Sequence, residues 1–248
     1  MKVLVLYVFH QYHSRVQHFI KRAIFQDESI DFLVVCNHLN PELNPTSLEL
    51  PSYVKWMKRD NLGYDFGAWS DALLTNDLYK QYDQFIFVNS SVMGPYTPSY
   101  YKGKWTDIYL QGLHGNVKLF GSTINTCTQP ATLSHVQSYI FSMDRNTLEY
   151  LIECQIFSTT FLTSFEEVVY QKEIRMSRKV IEKGWNIGSL LECYKDVDFT
   201  RTEHTIPILE DIMLPCFEGD FMYPYFRGKV WTEHQLCFIK GNRVHLKY

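Results

Sequence analysis

The feature that most constrains this chain is a rhythm in its first third, where apolar runs at residues 3–9, 31–37, 53–58 and 84–89 alternate with amphipathic or polar stretches. The run Val3-Leu4-Val5-Leu6-Tyr7-Val8-Phe9 has no polar face, which suits a strand covered on both sides, as in a parallel sheet. Val16, Phe19, Ile20, Ala23 and Ile24 then recur at helical spacing, so residues 11–25 are expected to be a helix. Residues 38–51, rich in Asn and Pro, read as a loop, and residues 63–78 as a helix entered through a glycine-bearing turn. The resulting β-α-β-loop-β-α-β order predicts an α/β fold with a mainly parallel central sheet flanked by helices.

Farther along, strands are expected near residues 118–121 and 137–142, and helices over 145–156 and 165–183. No repeat, low-complexity tract or linker interrupts the pattern, so the expectation is one domain over residues 1–248. Residues 1–95 would form its nucleotide-binding half and 96–248 the other half. In doubly wound sheets ligands sit beyond the carboxyl ends of the strands. Those ends carry Phe9 and His10, Asn37 and His38, Arg59, Asp60 and Asn61, and Asn89, Ser90 and Ser91.

Charge narrows the function classes. With a formal net charge of −3 and no Lys/Arg tract, the chain is a poor match for nucleic acid, whose backbone demands many cations on one face. The six cysteines are widely spaced, without a C-x-x-C pair, which argues against structural zinc and, with no signal-peptide pattern at the start, for a reducing compartment. No stretch reaches 18 apolar residues, so no transmembrane segment is expected and the localisation reads as cytoplasmic. Aromatic residues make up 16%, which suits stacking on sugar faces, although core packing accounts for most such rings.

The sharpest local feature is Lys58-Arg59-Asp60-Asn61-Leu62-Gly63-Tyr64-Asp65-Phe66-Gly67-Ala68-Trp69, a strand end followed by two glycines and a helix. Gly63 permits a backbone conformation closed to other residues, and the helix start offers free N–H groups to a phosphate. In outline this is a diphosphate cradle, with Asp60 and Asp65 suited to ribose hydroxyls or a base edge. The plain structural alternative is a tight turn in which Asp65 merely caps the helix. A second feature lies in residues 165–183. On a 3.6-residue period Glu173 shares an apolar stripe with Val169, Met176, Ser177 and Val180, while Lys172, Arg175, Lys179 and Glu182 face the other way. A carboxylate there is either paired with a buried cation or chemically employed.

The stretch from Arg59 to Trp69, followed by Phe87-Val88-Asn89-Ser90-Ser91-Val92-Met93-Gly94-Pro95, resembles the rhamnan-synthesis-protein-F-like glycosyltransferases. The resemblance continues through Lys118-Leu119-Phe120-Gly121-Ser122-Thr123 and His135-Val136-Gln137-Ser138-Tyr139 to Phe238-Ile239-Lys240-Gly241-Asn242-Arg243. It implies a single GT-A (Rossmann-like) domain, a UDP-, GDP- or dTDP-linked sugar donor, a glycan acceptor and a hexosyl- or pentosyltransferase of polysaccharide biosynthesis. Donor contacts would come from Phe9, His10, Asn37, Arg59, Asp60, Asn61, Gly63, Asp65, Asn89, Ser90 and Ser91. In the family layout His135, Gln137 and Glu167 would line the acceptor side. The register Glu173, Ser177, Gly184 is similar to that of family-2 inverting glycosyltransferases, which implies that Glu173 is the general base.

Many GT-A enzymes carry an acidic Asp-x-Asp that holds Mn²⁺ or Mg²⁺ where this chain has Asn89-Ser90-Ser91, an amide and two hydroxyls. A divalent ion therefore lacks its usual support. Asp65 and Ser91 are the remaining candidate ligands, and cations such as Arg59 or Lys240 could stabilise the leaving diphosphate instead. Two alternatives stand beside transfer: a non-catalytic glycan- or nucleotide-binding module on the same fold, and a nucleotidyltransferase, for which residues 10–17 lack the basic glycine-rich signature.

Overall fold

The structure, a computed structural model, describes residues 1–125, 134–201, 225–226, 229–230 and 233–241. His204, Asn242 and Arg243 lie outside them. Seven strands form the central sheet: β1 (Val3–Phe9), β2 (Ile30–Cys36), β3 (Lys55–Lys58), β4 (Gln84–Asn89), β5 (Val117–Gly121), β6 (Ile140–Asp144) and β7 (Asn186–Ser189). Their order is β3-β2-β1-β4-β6-β5-β7. β1 pairs in parallel with β2 and β4, β2 with β3, and β5 with β7, whereas β6 runs antiparallel to both β4 and β5. The mainly parallel α/β expectation holds.

Side chains on successive residues of a strand point to opposite faces, and the two cores follow that parity. Leu4, Leu6 and Val8 of β1 join Leu33 and Val35 of β2 under the helices α2 (Tyr64–Leu74), α4 (Arg145–Glu153) and α6 (Arg175–Glu182). Val3, Val5, Tyr7 and Phe9 pack on the other face beneath α1 (Ser14–Arg22) and α3 (Trp105–Gln111). A strand buried on both faces can only be apolar throughout, which is why β1 was readable as a run. α1 seats Val16, Phe19 and Ile20, the i, i+3, i+4 pattern of one buried face.

Three expectations need correction. The helix expected over residues 63–78 stops at Leu74, and Thr75–Gln81 continues as a 3₁₀ run broken by Asn76 and Asp77 at positive φ. The strand expected over residues 137–142 begins only at Ile140. A two-residue strand, His135–Val136, precedes it, and residues 137–139 bend between the two. The single helix expected over residues 165–183 is α5 (Phe165–Val168), a π-helical turn (Val169–Ile174) and then α6. The i→i+5 turn shifts the side-chain register, so Lys172, expected on the solvent side, is buried. Its Nζ donates to the Gln155 carbonyl at 2.7 Å and to Ser158 Oγ at 3.2 Å.

Among the described residues no helix is long and apolar enough to cross a membrane. Cys36, Cys154 and Cys237 carry free thiols.

Candidate active site

The strand order reverses between β1 and β4, which makes the carboxyl ends of these two strands the topological switch point of the sheet. His10 follows β1 and hydrogen-bonds through Nδ1 to the Asn37 carbonyl at 2.8 Å. Asn89 ends β4 and donates its side-chain amide to Asp65 Oδ2 at 2.9 Å. The Asn89 Oδ1 accepts from the Ser91 N–H at 3.0 Å and from Ser91 Oγ at 2.5 Å, so the amide can present only its N–H to Asp65.

Asp65 reaches this point because of the turn before α2. Gly63 has φ +72°, and Tyr64 follows at φ +55°, a left-handed pair that reverses the chain within one residue of the helix start. An added Cβ at Gly67 would stand 2.0 Å from the Leu62 carbonyl oxygen, so the helix can lie this close to the turn only with glycine there. Asp65 sits half-buried in the first turn of α2. Burial pushes its carboxyl up to about 6, against the Asn89 hydrogen bond, and the charge of Glu173 adds to the rise while His10 and Lys240 oppose it.

Glu173 comes from the π turn on the other side. Its Oε1 accepts the Ser138 N–H at 2.7 Å, and its Oε2 makes no hydrogen bond among the described residues. The bend at residues 137–139 is what turns this amide toward the carboxylate. Ser177, one turn on, accepts the Val136 N–H at 3.0 Å and fastens the same bend to α6. Glu173 is near enough to Asp65 for its charge to act on that carboxyl, as are His10 and Lys240, and Asn89 bonds Asp65 directly.

Other sequence candidates take different positions. Phe9 is fully buried, its ring among Tyr7, Tyr12 and Trp56, so its side chain is core and offers a ligand no surface. Asn37 is also buried and spends its side chain internally, on Asn61 Oδ1, the Tyr64 carbonyl and Arg59. Arg59 is consumed as well: Nε pairs with Asp71 at 2.5 Å, Nη1 donates to Asn37 and Nη2 to the Leu62 carbonyl, each at 2.9 Å, and Phe161 covers the guanidinium. Asn37 and Arg59 thus build the turn. Asp60 and Asn61 are exposed at its rim, and Ser90 and Ser91 are half-buried beside Asn89.

On the acceptor side, His135 and Gln137 are buried, with Gln137 Oε1 accepting from Thr123 Oγ1 at 2.6 Å. Glu167 is exposed at the start of α5, where its N–H meets Ser164 Oγ at 3.4 Å. The residues that reading the sequence missed are Ser138, which acts through its backbone, and Asp71, whose pairing with Arg59 spans twelve positions. Neither carried a local signal.

The chemistry of the donor set does not suit a hard divalent ion. Such ions want several charged oxygens, and here Asn89 Oδ1 already accepts two hydrogen bonds while Ser91 Oγ donates one of them. Asp65 reaches that position, and its Oδ2 is engaged by Asn89. Among the described residues no group of three or more His, Cys, Asp or Glu side chains could hold a metal.

Residues 32–217 match the family described as Rhamnan synthesis protein F. The chain belongs to that family. The match takes in the turn, Asp65, Asn89, Ser138 and Glu173, whereas His10 and Lys240 lie outside it. No curated protein is matched.

Solved structures similar to this family member include a cytidylyltransferase from Leptospira borgpetersenii serovar Hardjo-bovis, at 12% identity and TM-score 0.42, covering 86% of this chain and 96% of that one. Another is the glycosyltransferase GlyE of Streptococcus pneumoniae TIGR4, at 10% identity and TM-score 0.42, covering 93% and 57%. A third is the glucosyl-3-phosphoglycerate synthase of Mycobacterium tuberculosis in complex with Mn²⁺, UDP and glucosyl-3-phosphoglycerate, at 10% identity and TM-score 0.39. That alignment covers 60% of this chain and 58% of the synthase.

Proposed function

We propose that this chain is a cytoplasmic glycosyltransferase of GT-A type, transferring a sugar from a nucleoside-diphosphate donor to a glycan hydroxyl with inversion. Residues 1–95 supply the donor half of one catalytic unit and residues 96–248 the acceptor and base half. The observation that carries the reading is Asp65 bonded to Asn89 at the switch point between β1 and β4, with Glu173 near enough for its charge to act on it, within a family named for rhamnan synthesis. The donor would lie across the Gly63 turn, its diphosphate at Ser90 and Ser91.

Glu173 is the general base of this proposal. Its Oε2 removes the acceptor proton as the acceptor oxygen bonds to the anomeric carbon from the face opposite the phosphate. The bond from that carbon to the phosphate oxygen breaks, and its electron pair leaves with the nucleoside diphosphate. Ser138, through its N–H on Oε1, keeps the carboxylate aimed. Asp65, held by Asn89, is placed for a donor sugar or ribose hydroxyl. His135, Gln137 and Glu167 remain the acceptor-side assignment, with the first two acting from within the wall.

The test is turnover of nucleotide sugars, with wild type against Glu173→Gln. The variant is expected to bind donor as before and to turn over roughly two to four orders of magnitude more slowly. Full activity in the variant would remove Glu173 as base. A second reading, a glycan- or nucleotide-binding module without catalysis, is favoured by the neutral Asn89-Ser90-Ser91 set, and nucleotide binding without transfer to any acceptor would establish it.

A further inference from the structure

Arg59 is locked inside the protein, yet a donor diphosphate at Ser90 and Ser91 would need positive charge close by. Two cationic residues come from elements that border Ser90 and Ser91. Arg15, in the first turn of α1, donates from Nε to the Ser90 carbonyl at 3.3 Å. Lys240 lies in the two-residue strand Ile239–Lys240, which pairs antiparallel with Val92–Met93, and the next residue, Gly241, donates its N–H to the Ser91 carbonyl at 2.7 Å. The arginine stem and the strand that carries Lys240 share this corner. An added Cβ at Gly241 would stand 2.9 Å from Arg15 Cδ, so the arginine stem crosses the backbone next to Lys240.

Lys240 is near enough to Asp65 for its charge to act on that carboxyl. Among the described residues neither Arg15 nor Lys240 forms an ion pair with a carboxylate, and the remaining contact of Arg15 is from Nη2 to His13 Nε2 at 3.4 Å. His13 is held below its ordinary range, by burial first and by Arg15 second, so it brings no negative charge and favours the neutral ring. An arginine left half-buried on two neutral acceptors, with Nη1 making no hydrogen bond among the described residues, is arranged to take up an anion in its planar fork.

We propose that Arg15 and Lys240 clamp the diphosphate of the donor against Ser90 and Ser91 and neutralise the charge it gains on leaving, so that transfer proceeds without a divalent metal. This rests on the reading of the site as a nucleotide-sugar site and assigns its leaving-group stabilisation. The two residues come from opposite ends of the chain, and both lie outside the segment that matches the family. The Asn89-Ser90-Ser91 set then has its reason: acidic side chains there would pair with the cations that the diphosphate requires.

The experiment measures binding of UDP, GDP, dTDP, inorganic pyrophosphate and the unphosphorylated nucleosides, in EDTA, to wild type, Arg15→Gln, Arg15→Lys and Lys240→Gln. At least one nucleoside diphosphate is expected to bind wild type in EDTA. Arg15→Gln and Lys240→Gln should each weaken it roughly ten- to hundredfold, the usual worth of a charge-assisted contact, and leave the nucleoside unaffected. Arg15→Lys should recover part of the loss. Diphosphate binding that is equal in all four proteins, absent from wild type, or dependent on added Mn²⁺ would overturn the clamp while nucleotide-sugar turnover still judged the transferase reading separately. Pyrophosphate held through both cations without turnover of any nucleotide sugar would keep the clamp and overturn the transferase.

Discussion

The amide of Asn89 donates to Asp65 Oδ2 at 2.9 Å, tying the carboxyl end of β4 to the first turn of α2. This bond fastens the helix to one of the two strand ends that form the switch point. Because Ser91 fixes which way the amide faces, Asp65 is held by two residues of one strand end, Asn89 and Ser91.

Asp65 should make stability depend on mildly acidic pH. Its folded carboxyl titrates at about 6, above the ordinary 3.8, so the folded state binds more protons than the unfolded chain between these values. Stability contributed by this group is therefore greatest below the lower value, falls as pH rises through the window, and stays reduced above it. Asp65→Asn removes the titration. Chemical unfolding from pH 4 to 8 should show the variant gaining on wild type by up to about 3 kcal/mol, and a gap that does not vary with pH would contradict it.

Lys172 predicts the opposite slope at alkaline pH. Burial holds its ammonium down to about 8 from 10.5, with the charge of Arg175 contributing. The unfolded chain binds the proton more tightly, so wild-type stability should rise between pH 8 and 10.5 on this account. Lys172→Met should lose that rise. Unfolding midpoints across this range, compared between the two proteins, provide the check.

Breaking the Arg59–Asp71 pair should unfold the turn before it touches chemistry. Arg59→Met leaves Asp71 without its cation and strips donors from Asn37 Oδ1 and the Leu62 carbonyl. A loss of about 3 kcal/mol is expected by urea denaturation. A loss near zero would mean that the guanidinium is not the strut of this turn.

Gly67→Ala is expected to be among the costliest single-methyl additions in the chain. The new Cβ would meet the Leu62 carbonyl at 2.0 Å, a backbone atom that cannot swing away. The cost should be about 3 kcal/mol or more, read as a lower melting temperature and poor soluble yield. Wild-type stability in the variant would show that α2 can slide away from the turn.

What could be read in the chain was what depends on neighbours in sequence. β1 and β4 lie over the residues their apolar runs mark, because a strand covered on both faces must be apolar along its whole length. The Gly63 turn and the carboxylates Asp65 and Glu173 were legible too, since glycine at positive φ and an acid on an apolar stripe are local anomalies. The tertiary structure decided which polar groups remain available. Arg59 looked free in a polar run and is buried on Asp71, while Arg15, within the helix expected over residues 11–25, faces Ser90. The π turn that buries Lys172 and the bend that aims Ser138 at Glu173 likewise arise from contacts across tens of residues. Hydrogen-bond partners are chosen by distance in space, and a sequence pattern reports only distance along the chain.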